Sequence, residues 1–172
     1  LGVQWAAAQG TYFYSNTVHH FETILNGSQQ WRYFVGNSEP DSNWRKTTFS
    51  DASWSTGNGG IGYGDNDDAT VLTACSSVYM RKSFVVSDTS SITEFLLSID
   101  YDDGFVAYIN NVEVARKNVG TPGVIPSYNT PATAPHEARL YQSLNAEYFF
   151  IAKSVMKTMV KNGVNVLCIQ VH

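Results

Sequence analysis

Two short acidic runs hold most of the chemistry this chain could offer. Asp102-Asp103-Gly104 opens the stretch YDDGFVAYINNVEVARKN (Tyr101 to Asn118), and Asp65-Asn66-Asp67-Asp68 follows Gly62-Tyr63-Gly64. Adjacent carboxylates put several hard oxygen donors within a few residues, which suits calcium. The second run lacks the twelve-residue loop with a terminal Glu that marks an EF-hand. Asp65, Asp67, Asp68, Asp102 and Asp103 are therefore expected to hold a calcium ion only if the two loops meet. The plainer reading of the first run is the corner of a β-hairpin, because Asp bonds nearby backbone N–H groups and Gly accepts positive φ. The plainer reading of the second is a solvated acidic loop.

Aromatic residues add a second kind of site. Sugars stack their C–H faces on aromatic rings while their hydroxyls pair with Asp, Asn or His. Tyr63, Tyr128 and Tyr141 lie in irregular stretches where binding residues gather. The candidate carbohydrate site is Tyr63, Asp65, Asn66, Asp102, Asp103, Tyr128 and His136. Catalysis is not expected. There is no G-x-S-x-G, and His19, His20, His136 and His172 accompany no nucleophile motif. Glu is scarce, and Glu94, Glu113 and Glu147 read as strand-surface positions rather than a hydrolytic pair. No Cys/His spacing suits zinc. Cys75 and Cys168 are expected as free thiols, with one disulfide as the alternative, since Cys168 sits inside the apolar run VNVLCIQV.

These residues need a scaffold, and the composition supplies one. Only 15% of the 172 residues are charged and 13% are aromatic, so the chain can bury a full core as one domain. A net charge of -4 gives no footprint for a polyanion, so nucleic acid is not an expected partner. No apolar run reaches the roughly 18 residues of a membrane-spanning helix, so no membrane partner is expected either. The start, LGVQWAAAQ, reads either as the tail of a secretory signal or as a cut from a longer polypeptide. Richness in Ser, Thr, Asn and Gly fits an exported, extracellular module, expected as a monomer.

Period-two alternation between Gly, Asn, Asp and Pro breaks predicts strands at Trp31 to Val35, Tyr79 to Val86, Ile92 to Asp100, Phe105 to Asn110, Val112 to Arg116, Glu147 to Ala152 and Asn165 to Val171, with another near Thr11 to Tyr14. Such a series implies an all-β sandwich. Phe95, Leu97 and Ile99 should face its core. Helical spacing of Val155, Met156, Met159 and Val160 predicts one short helix at Lys153 to Asn162. Residues 36–77 and 119–146 are long irregular segments.

WRYF (Trp31 to Phe34), Trp44-Arg45 with FSDASW (Phe49 to Trp54), GGIGYGD (Gly59 to Asp65), YMRKSF (Tyr79 to Phe84), YDDGFVAYINNVEVAR and the terminal GVNVLCIQVH follow one another in an order that resembles a known family. The chain is similar to galactose-binding-like jelly-roll modules of secreted, multimodular bacterial proteins, including glycoside hydrolases and CotH-like proteins. The resemblance spans residues 22–172 and leaves 1–21 as an N-terminal extension or first strand; it puts Trp31, Trp44 and Trp54 at landmark positions, which implies that they are core. Two positions depart from the family pattern: Asn110-Asn111 replaces the usual Asn-Gly turn, and Cys168 stands where Ala is common. What the resemblance implies is a non-catalytic carbohydrate-binding module, tethering a covalently linked enzyme to a polysaccharide or oligosaccharide. The alternative is an inert spacer with a structural calcium.

Overall fold

A computed structural model describes residues 3–11, 18–64 and 68–172, with side chains from Phe21 onward. Among the described residues twelve strands run in the order β1 (Val3–Thr11), β2 (Val18–Leu25), β3 (Gln30–Val35), β4 (Ser55–Asn58), β5 (Ile61–Gly62), β6 (Thr70–Val71), β7 (Val78–Val86), β8 (Glu94–Ile99), β9 (Phe105–Ile109), β10 (Val112–Lys117), β11 (Glu147–Ala152) and β12 (Gly163–Val171). The helix α1 (Lys153–Met159) lies between β11 and β12, and a single 3-10 turn covers Leu140–Gln142. Two antiparallel sheets form a jelly-roll β-sandwich. One has the order β11-β8-β1-β2 and the other β10-β9-β12-β7-β3-β4, while β5 and β6 make a short parallel pair.

The space between the sheets is filled by alternate residues of the long strands. Phe95, Leu97 and Ile99 of β8 are completely buried there, as their alternation predicts, with Phe105, Ala107 and Ile109 of β9 and Leu167 and Ile169 of β12. Each large side chain so buried contributes on the order of 1.5 to 3 kcal/mol of transfer free energy. The six-stranded sheet is also covered on its other face. Tyr79, Val106, Tyr108, Val166 and Cys168 point outward from it and are roofed by Trp44, Phe49, Trp54 and Tyr128 from the irregular segments. A strand buried on both sides needs apolar residues at every position, and β9 is FVAYI with all five buried.

Arg81 ties this roof to the sheet. Its side chain is 3% exposed, ion-paired to Asp51 at 2.9 Å, and donates to the backbone oxygens of Trp44, Lys46 and Phe49. A guanidinium offers five donors in a fixed fork, enough to satisfy several carbonyls of a loop that has no ladder of its own.

Four strands were not expected from the sequence, and β1 was expected only as one of two readings of residues 1–21. The middle of β1 is Ala-Ala-Ala, β2 carries a His-His pair after Val18, and β4 to β6 are only two to four residues long. Their pairing, not their propensity, makes them strands. Residues 3–11 are inserted between β2 and β8 and so belong to the four-stranded sheet. Of the strand expected at Thr11 to Tyr14, Thr11 is strand and the rest lies outside the described residues. The helix stops at Met159, earlier than the expected Asn162, with Met156 and Met159 buried and Val160 already extended. Asn110 and Asn111 take φ of 49° and 77°, the two positive values of a type I′ turn. Asn110 also donates to Met159 O and Asn165 Oδ1 and accepts from Val166 N, so its side chain ties the turn to the start of β12. Cys75 and Cys168 are free thiols. Burial pushes that of Cys168 up to about 12.

Candidate functional site

Asp102-Asp103-Gly104 is not a hairpin corner. It carries the chain from β8 in one sheet to β9 in the other, so it is a crossing at the end of the sandwich. Neither does Gly104 supply positive φ, as the sequence suggests. Its need is space: a Cβ there would lie 2.9 Å from Asn118 O and 3.0 Å from Lys117 O. The crossing is pinned through its backbone. Asp103 N and Gly104 N both donate to His172 O, at 2.7 and 3.1 Å, and His172 N donates to Gly104 O at 2.9 Å. The Asp102–Asp103 peptide is cis.

The carboxylates on either side of the crossing hold a loop against it. Asp100, 3% exposed, accepts from Arg139 N at 2.8 Å and from Leu140 N at 2.9 Å. Asp103 Oδ1 accepts from His136 N at 2.8 Å. The His136 ring stacks on Tyr101 with centroids 4.1 Å apart and planes 10° from parallel. Its Nδ1 lies 3.0 Å from Tyr101 O and its Nε2 3.0 Å from Glu147 Oε1, which also accepts from Tyr101 Oη. Burial first, and the Glu147 carboxylate second, raise the Tyr101 hydroxyl above its ordinary pKa.

A cavity of about 500 Å³ opens beside this crossing. Its walls are the Gly59 to Tyr63 segment with Asp68, the Cys75 to Val78 segment, the carboxylates Asp100, Asp102 and Asp103, the residues Leu140 and Tyr141, and His172. Tyr63 is 46% exposed and Tyr141 54% exposed. Tyr63 is steadied by a bond from its hydroxyl to Cys75 O at 3.0 Å. Asp68 lies against Gly62: a Cβ there would fall 2.6 Å from Asp68 Oδ1, so a larger residue would push the carboxylate aside. Among the described residues no Lys or Arg lines this space. Burial lowers the pKa of His172, which favours its neutral ring.

Of the residues singled out by the sequence, Tyr63, Asp68, Asp102, Asp103 and Tyr141 come together on the cavity. Asp65, Asn66 and Asp67 lie outside the described residues. Two others are placed elsewhere. Tyr128 packs half-buried in the roof over the six-stranded sheet, its N donating to Glu39 Oε1 at 2.9 Å. His136 stands behind the wall as the loop anchor just described. Among the described residues no group of three or more His, Cys, Asp or Glu is arranged to share a metal ion, so Asp68, Asp102 and Asp103 do not make a calcium site by themselves. Asp100, Leu140 and His172 were missed. Asp100 could have been suspected as the first carboxylate of the run DYDD, but nothing local marks Leu140 or His172.

No family model matches the sequence, and no curated protein matches it. Solved structures do resemble it. A β-glucuronidase from glycoside hydrolase family 2 aligns with 98% of this chain at a TM-score of 0.53 and 13% identity. The β-glucuronidase of Bifidobacterium dentium, complexed with coumarin-3-O-glucuronide, aligns with 83% at a TM-score of 0.51 and 13% identity. The chain spans 14% and 19% of those two proteins. At this identity the likeness is one of fold: a β-sandwich that also occurs as one part of much longer glycoside hydrolase chains.

Proposed function

We propose that this chain is a non-catalytic carbohydrate-binding module of a larger exported protein, and that its ligand sits in the cavity at the sheet crossing. The observation that carries the reading is the meeting there of half-exposed Tyr63 and Tyr141 with Asp68, Asp102 and Asp103. Rings for C–H faces beside acceptors for hydroxyls are the two halves of a sugar site. Kinship of fold with parts of glycoside hydrolases supports it. Holding a linked enzyme near a polymer raises its effective concentration, so even a weak site serves. Asp65 and Asp67 would have to complete any calcium site with Asp68, Asp102 and Asp103.

Affinity electrophoresis against plant, algal and microbial polysaccharides, with and without EDTA, tests this. Retardation by a polymer, weakened by Tyr63→Ala or Tyr141→Ala, is the expected result. Loss of retardation in EDTA assigns calcium a part, and its survival removes calcium from the mechanism. A second reading, the spacer, is favoured by the inward turn of Trp44, Trp54 and Tyr128. Failure of every polymer to retard the protein would put that reading first.

A further inference from the structure

The cavity at the sheet crossing is lopsided in charge. Asp68, Asp100, Asp102 and Asp103 all line it, and among the described residues no Lys or Arg does. Residues 1–20 and 65–67, whose side chains lie outside the description, contain no Lys or Arg either, and Asp65 and Asp67 are among them. Burial favours the neutral form of the His172 ring, so that part of the wall adds no cation. Carboxylates of one sign in a concave space focus their field and draw in the opposite charge.

The spacing of these carboxylates says what kind of positive charge fits. Asp100 is 3% exposed and gives both oxygens to the backbone N–H groups of Arg139 and Leu140, so it acts on the cavity through its field alone. Asp103 gives Oδ1 to His136 N, and its Oδ2 accepts from no described residue. Asp102 is exposed and Asp68 half-buried. Among the described residues no three acidic, His or Cys groups are placed to share one ion. Calcium is a single centre that gathers about six to eight oxygens, whereas a sugar chain presents its substituents at intervals. Separated carboxylates suit small cations carried along such a chain. Ser77, 3% exposed on the same wall, has an Oγ without a hydrogen-bond partner, which a polar group of a bound ligand would satisfy.

We propose that this cavity selects amino sugars, units whose ring carries a protonated amine, over neutral sugars, and rejects uronic acids and sulfated sugars. The inference rests on the sugar-binding reading above and names its ligand class. C–H faces stack on Tyr63 and Tyr141, while the ammonium groups donate to Asp68, Asp102 and Asp103 in charge-assisted bonds. A uronate or sulfate in the same place would face those carboxylates with no guanidinium or ammonium to answer it. An acetylated amine loses the charge and with it the advantage.

Oligomers of glucosamine, N-acetylglucosamine and glucose of one length and linkage differ in a single substituent, so titration calorimetry of each in mildly acidic buffer isolates its charge. The glucosamine oligomer should bind on the order of threefold to tenfold more tightly than the other two, and added salt should shrink the difference. Asp102→Asn and Asp68→Asn should each reduce the preference with an unchanged circular dichroism spectrum. Asp88→Asn makes the same change in net charge in the loop beyond Val86, at the other end of β7 from the cavity, and should leave the preference intact. Equal binding of the three oligomers, or tighter binding of polygalacturonate, overturns this proposal and leaves the carbohydrate reading standing. So does a glucosamine oligomer that fails to bind while a neutral polysaccharide retards the protein. A preference that Asp88→Asn reduces as much as Asp102→Asn is an effect of net charge and overturns it, as does a preference that EDTA abolishes, since the carboxylates would then be holding a metal. Binding of no sugar at all overturns both readings.

Discussion

On the outer face of the six-stranded sheet, Trp44, Phe49, Trp54 and Tyr128 close over Tyr79 and Tyr108. At the sheet-crossing end, Tyr63 and Tyr141 stand half exposed around a cavity. Both groups come from the same two irregular segments. The difference lies in what is underneath. A sheet face presents a continuous apolar layer, so rings laid across it interlock, as Trp44 does with Trp54, Tyr79 and Tyr108 at centroid distances of 6.2, 5.1 and 5.9 Å. A sheet end presents backbone polar groups and the carboxylates that cap them, which keep water and leave rings standing at the rim. An aromatic in a loop is thus core or site according to the surface it meets.

The largest effect expected from breaking this contrast is at the roof. Trp44→Ala removes the ring that touches three others and should cost about 3 to 5 kcal/mol, read as a fall in denaturation midpoint. A loss no larger than that of a surface substitution would mean that the roof is not core. At the sheet-crossing end, Gly104→Ala forces a Cβ against the backbone oxygens of Asn118 and Lys117 and should cost about 1 to 3 kcal/mol. Polysaccharide retardation should fall with it, because the carboxylates shift. The third comparison sharpens the division directly. Tyr63→Ala and Tyr141→Ala should change stability by no more than about 0.5 kcal/mol yet weaken retardation, whereas Tyr128→Ala should lower stability and spare binding. Equal behaviour of the three would dissolve the distinction.

The smallest effect is a pH dependence at the cavity end. Burial holds the pKa of His172 below its ordinary value, so as pH falls the unfolded chain takes up that proton first. The contribution is complete above about pH 6.5, the unfolded value, and declines as pH drops beneath it. His172→Gln should therefore lose less melting temperature between pH 7 and pH 5 than the wild type. Parallel losses in the two proteins would remove His172 from the acid response.

How much of this was legible varied by residue. Phe95, Leu97 and Ile99 announced their inner face by alternation, and Glu147 to Ala152 matched its strand at both ends, because a half-buried pleat imposes period two. Asn110-Asn111 announced a turn because few other residue types tolerate two successive positive φ values. β2 announced nothing and β1 no more than one of two readings of its segment, since Ala-Ala-Ala and His-His gain strand geometry only by pairing with neighbours. Gly104 was recognised as a turn residue for the wrong reason. The oxygen atoms that crowd it belong to Lys117, the last residue of β10, and to Asn118 just after it, with all of β9 in between.

The sequence by itself determined the all-β sandwich and the short helix, which follow from local periodicity; the burial of Trp31, Trp44 and Trp54 was implied by the family resemblance, and the free thiols were favoured over a disulfide that stayed open. Only the tertiary structure decided that Asp102-Asp103-Gly104 crosses between sheets, that Asp68 meets it across a cavity, and that Tyr63 and Tyr128 part company. Those outcomes depend on which strands become neighbours. That choice is made by hydrogen-bond pairing and packing between residues far apart in the chain, and no short window of sequence contains it.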